Sequence, residues 1–190
     1  MPQNFEDSHG VAHSQVFPNK VIPHRAQKRK SAASKPSGKH GVRLALFEPD
    51  IPQNAGALIR LGACMDVGID IIEPCGFLWS DAALRRAGMD YLDRARVVRY
   101  TLWRDFLDSR RGRIILLTTK TTDSYTEFMF VSDDTLLVGR ESAGVPVHVH
   151  DGVAARLRIP IRSGLRSLNV AQAGAMVLGE ALRQTGGFPQ

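Results

Sequence analysis

Leu137-Val138-Gly139-Arg140-Glu141-Ser142-Ala143-Gly144-Val145-Pro146 is the stretch on which the fold turns. Thr135 to Val138 is a short apolar run, which reads as a strand covered on both faces. Glycines at 139 and 144 then allow a tight loop, and Pro146 suits the start of a helix. The glycine spacing is that of a phosphate-binding P-loop. However, Val145-Pro146 stands where that loop needs a lysine for phosphate and a hydroxyl for magnesium. What remains is a strand–loop–helix unit, which taken alone reads equally well as an ordinary βα turn.

The pattern on either side extends this unit. Leu44 to Phe47 is an apolar strand closed by Glu48-Pro49, and Pro52 to Met65 follows as a helix with Ile51, Leu58, Leu61 and Met65 near one face. Ile69 to Ile72 is the next strand. Ser80 or Asp81 can cap a helix through Arg86, stopped by Gly88. Val97 to Tyr100 is a strand, and Leu102 to Arg110 a helix with Leu102, Trp103 and Phe106 inward. Ile114 to Thr118 and Ala155 to Ile161 are further strands, and Ser167 to Gln184 is a long closing helix. Strands that are continuous apolar runs and alternate with helices imply an α/β fold with a mostly parallel sheet flanked by helices.

Composition bounds the function. The chain has 190 residues, 43% of them apolar and 23% charged, as expected of one soluble domain. No apolar run approaches the ~20 residues of a membrane span, and no signal segment follows Met1, so a cytoplasmic protein without a membrane partner is expected. The two cysteines, Cys64 and Cys75, form no CxxC pair, and four of the six histidines lie in the first 40 residues. No metal is assigned. Residues 1–41 carry seven Lys/Arg against two Asp/Glu, so +5 of the net +6 lies there and +1 in the rest. That segment lacks periodicity and holds Pro18, Pro23 and Pro36, which reads as a disordered basic extension before a domain over residues 42–190. Such a tail either binds RNA phosphates or merely solubilises the chain. No G-x-G-x-x-G follows the first strand, so a Rossmann cofactor site is unsupported, and no G-x-S-x-G elbow occurs.

Two further constellations accompany the opening stretch. Asn54-Ala55-Gly56-x-x-x-Arg60 follows the first strand; Asn54 can cap the helix, and Arg60 is expected on the same general face. Ile159-Pro160-Ile161-Arg162-Ser163-Gly164-Leu165-Arg166-Ser167-Leu168-Asn169 is a strand end, a polar loop and a helix start. Taken alone, the first reads rather as a capped helix with a surface arginine, and the second can be read as another capped helix.

In this order the three resemble the motifs of the SpoU branch of the SPOUT superfamily, N-x-G-x-x-x-R, G-x-E-x-x-G-x-P and I-P-x…S-x-N. The likeness covers nearly all of residues 43–188. Four segments, 46–54, 71–77, 84–91 and 116–120, resemble the minimal branch that modifies the tRNA wobble nucleotide. Ala55 and Ala171 depart from the threonine and serine common at those positions.

The resemblance implies an α/β fold with a C-terminal trefoil knot, and methyl transfer from S-adenosyl-L-methionine to a ribose 2′-oxygen of the wobble cytidine or modified uridine in tRNA. It implies a cofactor pocket from Leu117, Thr118, Gly139, Glu141, Gly144, Ile159 and Ser167. Arg60, Ser167 and Asn169 would be catalytic, and Asn54, Arg60 and Arg166 would face the RNA. Arginine is a poor base, so Arg60 is expected to hold the target phosphate and stabilise charge developing on the oxygen. The small residues Ala171, Ala173, Gly174, Ala175, Gly179 and Ala181 of the last helix suit either internal packing or the homodimer that the family forms. Arg85, Arg86, Arg94, Arg96, Arg99, Arg110 and Arg111 are candidates for tRNA phosphate contacts. An rRNA target and a catalytically idle RNA-binding module are the alternatives.

Overall fold

The computed structural model describes residues 41–79 and 93–190. The expected extension before residue 41, the expected helix from Ser80 to Arg86, and Arg85 and Arg86 themselves lie outside them. Among the described residues, six strands form one sheet: β1 (Arg43–Phe47), β2 (Gly68–Ile72), β3 (Val97–Tyr100), β4 (Ile114–Leu117), β5 (Thr135–Val138) and β6 (Ala155–Leu157). Their order is β3-β2-β1-β5-β4-β6, and every pairing is parallel. The helices are α1 (Pro52–Cys64), α2 (Trp103–Ser109), α3 (Val147–Asp151) and α4 (Val170–Thr185).

Alternation along each strand divides the core in two. Leu44, Leu46, Ile69, Ile71, Leu136 and Val138 face α1 and α4, where they meet Leu58, Ile59, Val177 and Leu178. Ala45, Phe47, Ile72, Leu116 and Leu137 face the other way, onto Phe106 of α2 and Val149 of α3. Both faces are apolar, so the strands read as unbroken runs rather than alternating ones. Gly174 explains part of the small-residue pattern in α4. A β-carbon there would stand 3.0 Å from Leu58 Cδ2, so the glycine lets α4 settle against α1 and the sheet.

Four expectations are corrected. Leu102 is not inward but 58% exposed, because it is the N-cap of α2 and lies outside the first turn. Trp103 does pack inward, edge-on to Phe47 at 5.7 Å between centroids. β6 ends at Leu157, level with the end of its partner β4, rather than running to Ile161. α4 starts at Val170, and Ser167 precedes it in a loop. Asn54 caps nothing. Ile51 is the N-cap of α1 with Pro52 at its first position, so Asn54 sits inside the first turn.

The candidate phosphate-contacting arginines of β3 and its flanks are engaged within the chain. Arg96 pairs with Asp66 and Arg99 with Glu73, while Arg110, 9% exposed, binds Asp70. Arg94 and Arg111 are exposed. Among the described residues no helix is long and apolar enough to cross a membrane.

Candidate active site

From β1 the chain proceeds outward to β2 and β3 on one side, while β5, β4 and β6 lie on the other. The gap between the carboxyl ends of β1 and β5 is where such a sheet opens a crevice for a ligand. A cavity of about 670 Å3 lies beside it, over the carboxyl ends of β5, β4 and β6 and bordered by Ile51 and Asn54 after β1, a size suited to a cofactor.

Three loops wall it. Residues 118–120 follow β4, residues 139–144 follow β5, and residues from Ile159 to Asn169 lead into α4. Leu117, Val138, Leu157 and Ile159 give an apolar lining, with Thr118, Thr119, Glu141, Ser167 and Asn169 as polar groups among them. All seven residues expected around the cofactor, Leu117, Thr118, Gly139, Glu141, Gly144, Ile159 and Ser167, border this one space, as does Asn54.

The loop after β5 owes its shape to two glycines. Arg140 and Gly144 exchange backbone hydrogen bonds of 2.9 and 2.8 Å, closing a tight turn. A β-carbon on Gly139 would lie 2.6 Å from the Gly144 carbonyl carbon, and Gly144 has φ +69°. A larger residue at 139 would collide with the far side of the turn, and one at 144 would be strained in the left-handed region.

Side chains tie the loops together. Asn54 Nδ2 donates to Glu141 Oε1 at 2.8 Å, and Asn169 Nδ2 donates to Asn54 Oδ1 at 2.9 Å. The same Asn169 caps α4, its Oδ1 accepting from the amides of Ala171 and Gln172. Thus all three sequence motifs are joined through three side chains. Asn169→Ala removes the cap and the Asn54 contact together. It is expected to cost about 1–2 kcal/mol of stability, read by urea unfolding.

Asp50 is a member of this arrangement that the sequence reading missed. The Glu141 side chain, then the Ser142 hydroxyl and the amides of Glu141 and Ser142, hold its carboxyl below the usual carboxylate range. Burial, followed by the neighbouring Asp50, pushes Glu141 up. Lys120 and Arg140 also border the cavity without having been singled out. Arg140 reaches back to Glu48 Oε2 at 3.0 Å, across the β1–β5 gap.

Arg60 and Arg166 are not brought to the cavity wall. Both are exposed. Six residues along a helix turn the direction by about 120°, so Arg60 does not share a face with the buried Asn54. The expectation that they lie together is therefore corrected.

The profile of the SpoU rRNA Methylase family matches residues 41–179. The chain belongs to the SpoU methylase family. Within that family it is similar to the tRNA (cytidine(34)-2'-O)-methyltransferase of Ancylobacter novellus, at 55% identity over 150 residues, which are 77% of this chain and 95% of that protein. It is similar to a solved structure concerning the 2-OH methylation of C/U34 on tRNA, with TM-score 0.72 and 37% identity over 77% of this chain and 97% of the other. An AdoMet-bound rRNA methyltransferase from Sinorhizobium meliloti has TM-score 0.68 and 26% identity, covering 77% of this chain and 57% of that one. The SpoU family fold accounts for the parallel six-stranded sheet and the crevice at its carboxyl edge.

Proposed function

We propose that this protein is a tRNA 2′-O-methyltransferase that uses S-adenosyl-L-methionine to methylate the ribose of the wobble nucleotide, cytidine or modified uridine. It acts on tRNA in the cytoplasm. The observation that carries this reading is the convergence of all three motif loops on one cavity, in a chain 55% identical to a tRNA (cytidine(34)-2'-O)-methyltransferase.

The cavity fits the cofactor. Apolar side chains from β4, β5, β6 and Ile159 suit an adenine ring, and the turns at 118–120 and 139–144 offer backbone groups for its polar edges. Ser167 and Asn169 supply a hydroxyl and an amide for the ribose or amino-acid end. When bound, the cofactor supplies a methyl group on a positively charged sulfur, open to attack by a nucleophile. The chain's own task is then alignment and charge control. The Glu141–Asn54–Asn169 bonds fix the loops before any ligand arrives, which lowers the ordering cost of binding. Arg60 holds the phosphate of the target nucleotide and stabilises negative charge on the 2′-oxygen as its proton leaves.

The same reading includes the C-terminal knot and a homodimer. In support of the knot, the chain leaves β6 at the sheet edge and returns past β4 to α4, beside loops that wall one cavity. In support of the dimer, α4 keeps an outward face with Met176 44% exposed. A neighbouring copy that presented its α1 to the cavity would bring Arg60 to the reacting ribose.

Nucleoside mass spectrometry on unmodified tRNA, incubated with protein and S-adenosylmethionine, tests the whole proposal. A 2′-O-methylated cytidine or uridine mapped to the anticodon loop is the expected product. Methylation elsewhere would overturn the wobble assignment and keep the chemistry. No methylation of tRNA, with methylation of rRNA, would move the substrate to rRNA.

A further inference from the structure

We infer that Asp50 is a positioning residue for the cofactor loop: its carboxylate grips the backbone of Glu141 and Ser142 and holds residues 139–144 in their ligand-ready shape. The inference rests on the reading of the cavity as a S-adenosylmethionine site.

Asp50 lies in the loop that follows β1, and Glu141 and Ser142 lie in the loop that follows the neighbouring strand β5. Asp50 Oδ1 accepts from the Glu141 amide at 3.0 Å, and Oδ2 accepts from the Ser142 amide at 3.3 Å and from the Ser142 hydroxyl. In return, the Asp50 amide donates to Glu141 Oε2 at 3.2 Å. One residue thus makes four bonds across the gap, three of them to an ionised acceptor, the stronger kind. Glu141 then passes the constraint on through Asn54 to Asn169.

The other side of Asp50 is also fixed. A β-carbon on Gly76 would stand 2.7 Å from Asp50 Cβ and 2.8 Å from its Cα, and the Gly76 amide donates to the Pro49 carbonyl at 2.9 Å. Gly76 thus packs closely against the backbone side of Asp50, while the carboxylate reaches the cofactor loop. Ser142 borders the cavity and Asp50 does not. Its influence on a ligand must therefore pass through the loop, which makes it a positioning and not a catalytic residue. A loop with two glycines has many conformations to lose on binding. Asp50 removes that freedom beforehand.

The test is titration calorimetry of S-adenosylmethionine with the full chain, its Asp50→Ala, Asp50→Asn and Ser142→Ala variants, alongside thermal unfolding and steady-state kinetics on tRNA. Asp50→Ala is expected to raise the cofactor Kd roughly tenfold, the equivalent of losing one charge-assisted hydrogen bond. Turnover should return at saturating cofactor, and KM for tRNA should not change. Asp50→Asn keeps one acceptor oxygen and turns a donor towards Ser142, so it should fall between wild type and Asp50→Ala. Ser142→Ala should weaken binding only a few-fold. If Asp50→Ala does not fold, the other two variants decide by the same readout. A wild-type Kd in the variants overturns the inference, as does a parallel loss of cofactor affinity, tRNA affinity and stability. Failure of the wild-type chain itself to bind S-adenosylmethionine overturns the cofactor reading, a result that the variants cannot mimic.

Discussion

Asp70→Ala is expected to lower the free energy of unfolding by about 3–5 kcal/mol, the usual consequence of removing one partner from a buried ion pair. Asp70 is fully buried in β2. Arg43 grips it with two parallel bonds, Nε to Oδ2 at 2.8 Å and Nη2 to Oδ1 at 2.7 Å. Arg110 adds a third at 3.1 Å and also donates to the Tyr100 hydroxyl. Without the carboxylate, two guanidinium groups face each other beside the sheet, and the one on Arg110 is too enclosed to recover its hydration. The pair is buried, so added salt should not rescue the wild-type advantage or diminish it much. Arg96→Ala is the control. Arg96 and Asp66 are 50% and 74% exposed, so its loss should stay within about 0.5 kcal/mol. Urea unfolding followed by circular dichroism reads both. Equal, small effects would mean that Asp70 is tolerated in the core for some reason other than its two arginines.

The same residues show where the sequence was legible. β1, β2, β4 and β5 are buried on both faces, so their apolar runs could be read directly, and the covered parallel sheet followed. What the sequence could not reveal was pairing across distance. Arg43 lies in β1, Asp70 in β2 and Arg110 just after α2, and nothing local distinguishes Arg110 from an arginine left for RNA. Asn54 departs from its expected capping place for a different reason. Asparagine is a strong N-cap, but Pro52 fixes the start of α1 two residues earlier. The amide is then free to join Glu141 and Asn169 instead. β6 is shorter than its apolar pattern, which continues past Leu157, because the neighbour that could pair with it, β4, ends at Leu117. Residues of all three motifs border the cavity, since each motif follows a strand or opens a helix. They did not reveal Asp50, whose bonds reach a loop some ninety residues away.

Arg60→Ala is expected to reduce turnover on tRNA by about 100- to 1,000-fold while leaving the S-adenosylmethionine Kd unchanged, the size of effect seen when one preorganised donor to a developing oxyanion is removed. The split follows from position. Arg60 is exposed on α1 and borders no part of the cavity, so its loss does not disturb the cavity walls. Arg60→Lys should recover only part of the rate, because an ammonium keeps the charge and loses the planar fork that matches a phosphate. The same position gives a second test. A cavity served by Arg60 from a neighbouring copy should be repaired by mixing. Arg60→Ala chains combined with Glu141→Ala chains, each inactive alone, would form hybrid dimers with one intact composite site, restoring about a quarter of wild-type activity under random exchange. Restoration would establish that the site spans two copies. No restoration, with Arg60→Ala still inactive and still binding cofactor, would mean that Arg60 serves its own cavity once RNA is bound. A parallel loss of cofactor binding in Arg60→Ala would remove the arginine from the chemistry altogether and leave it a structural part of α1.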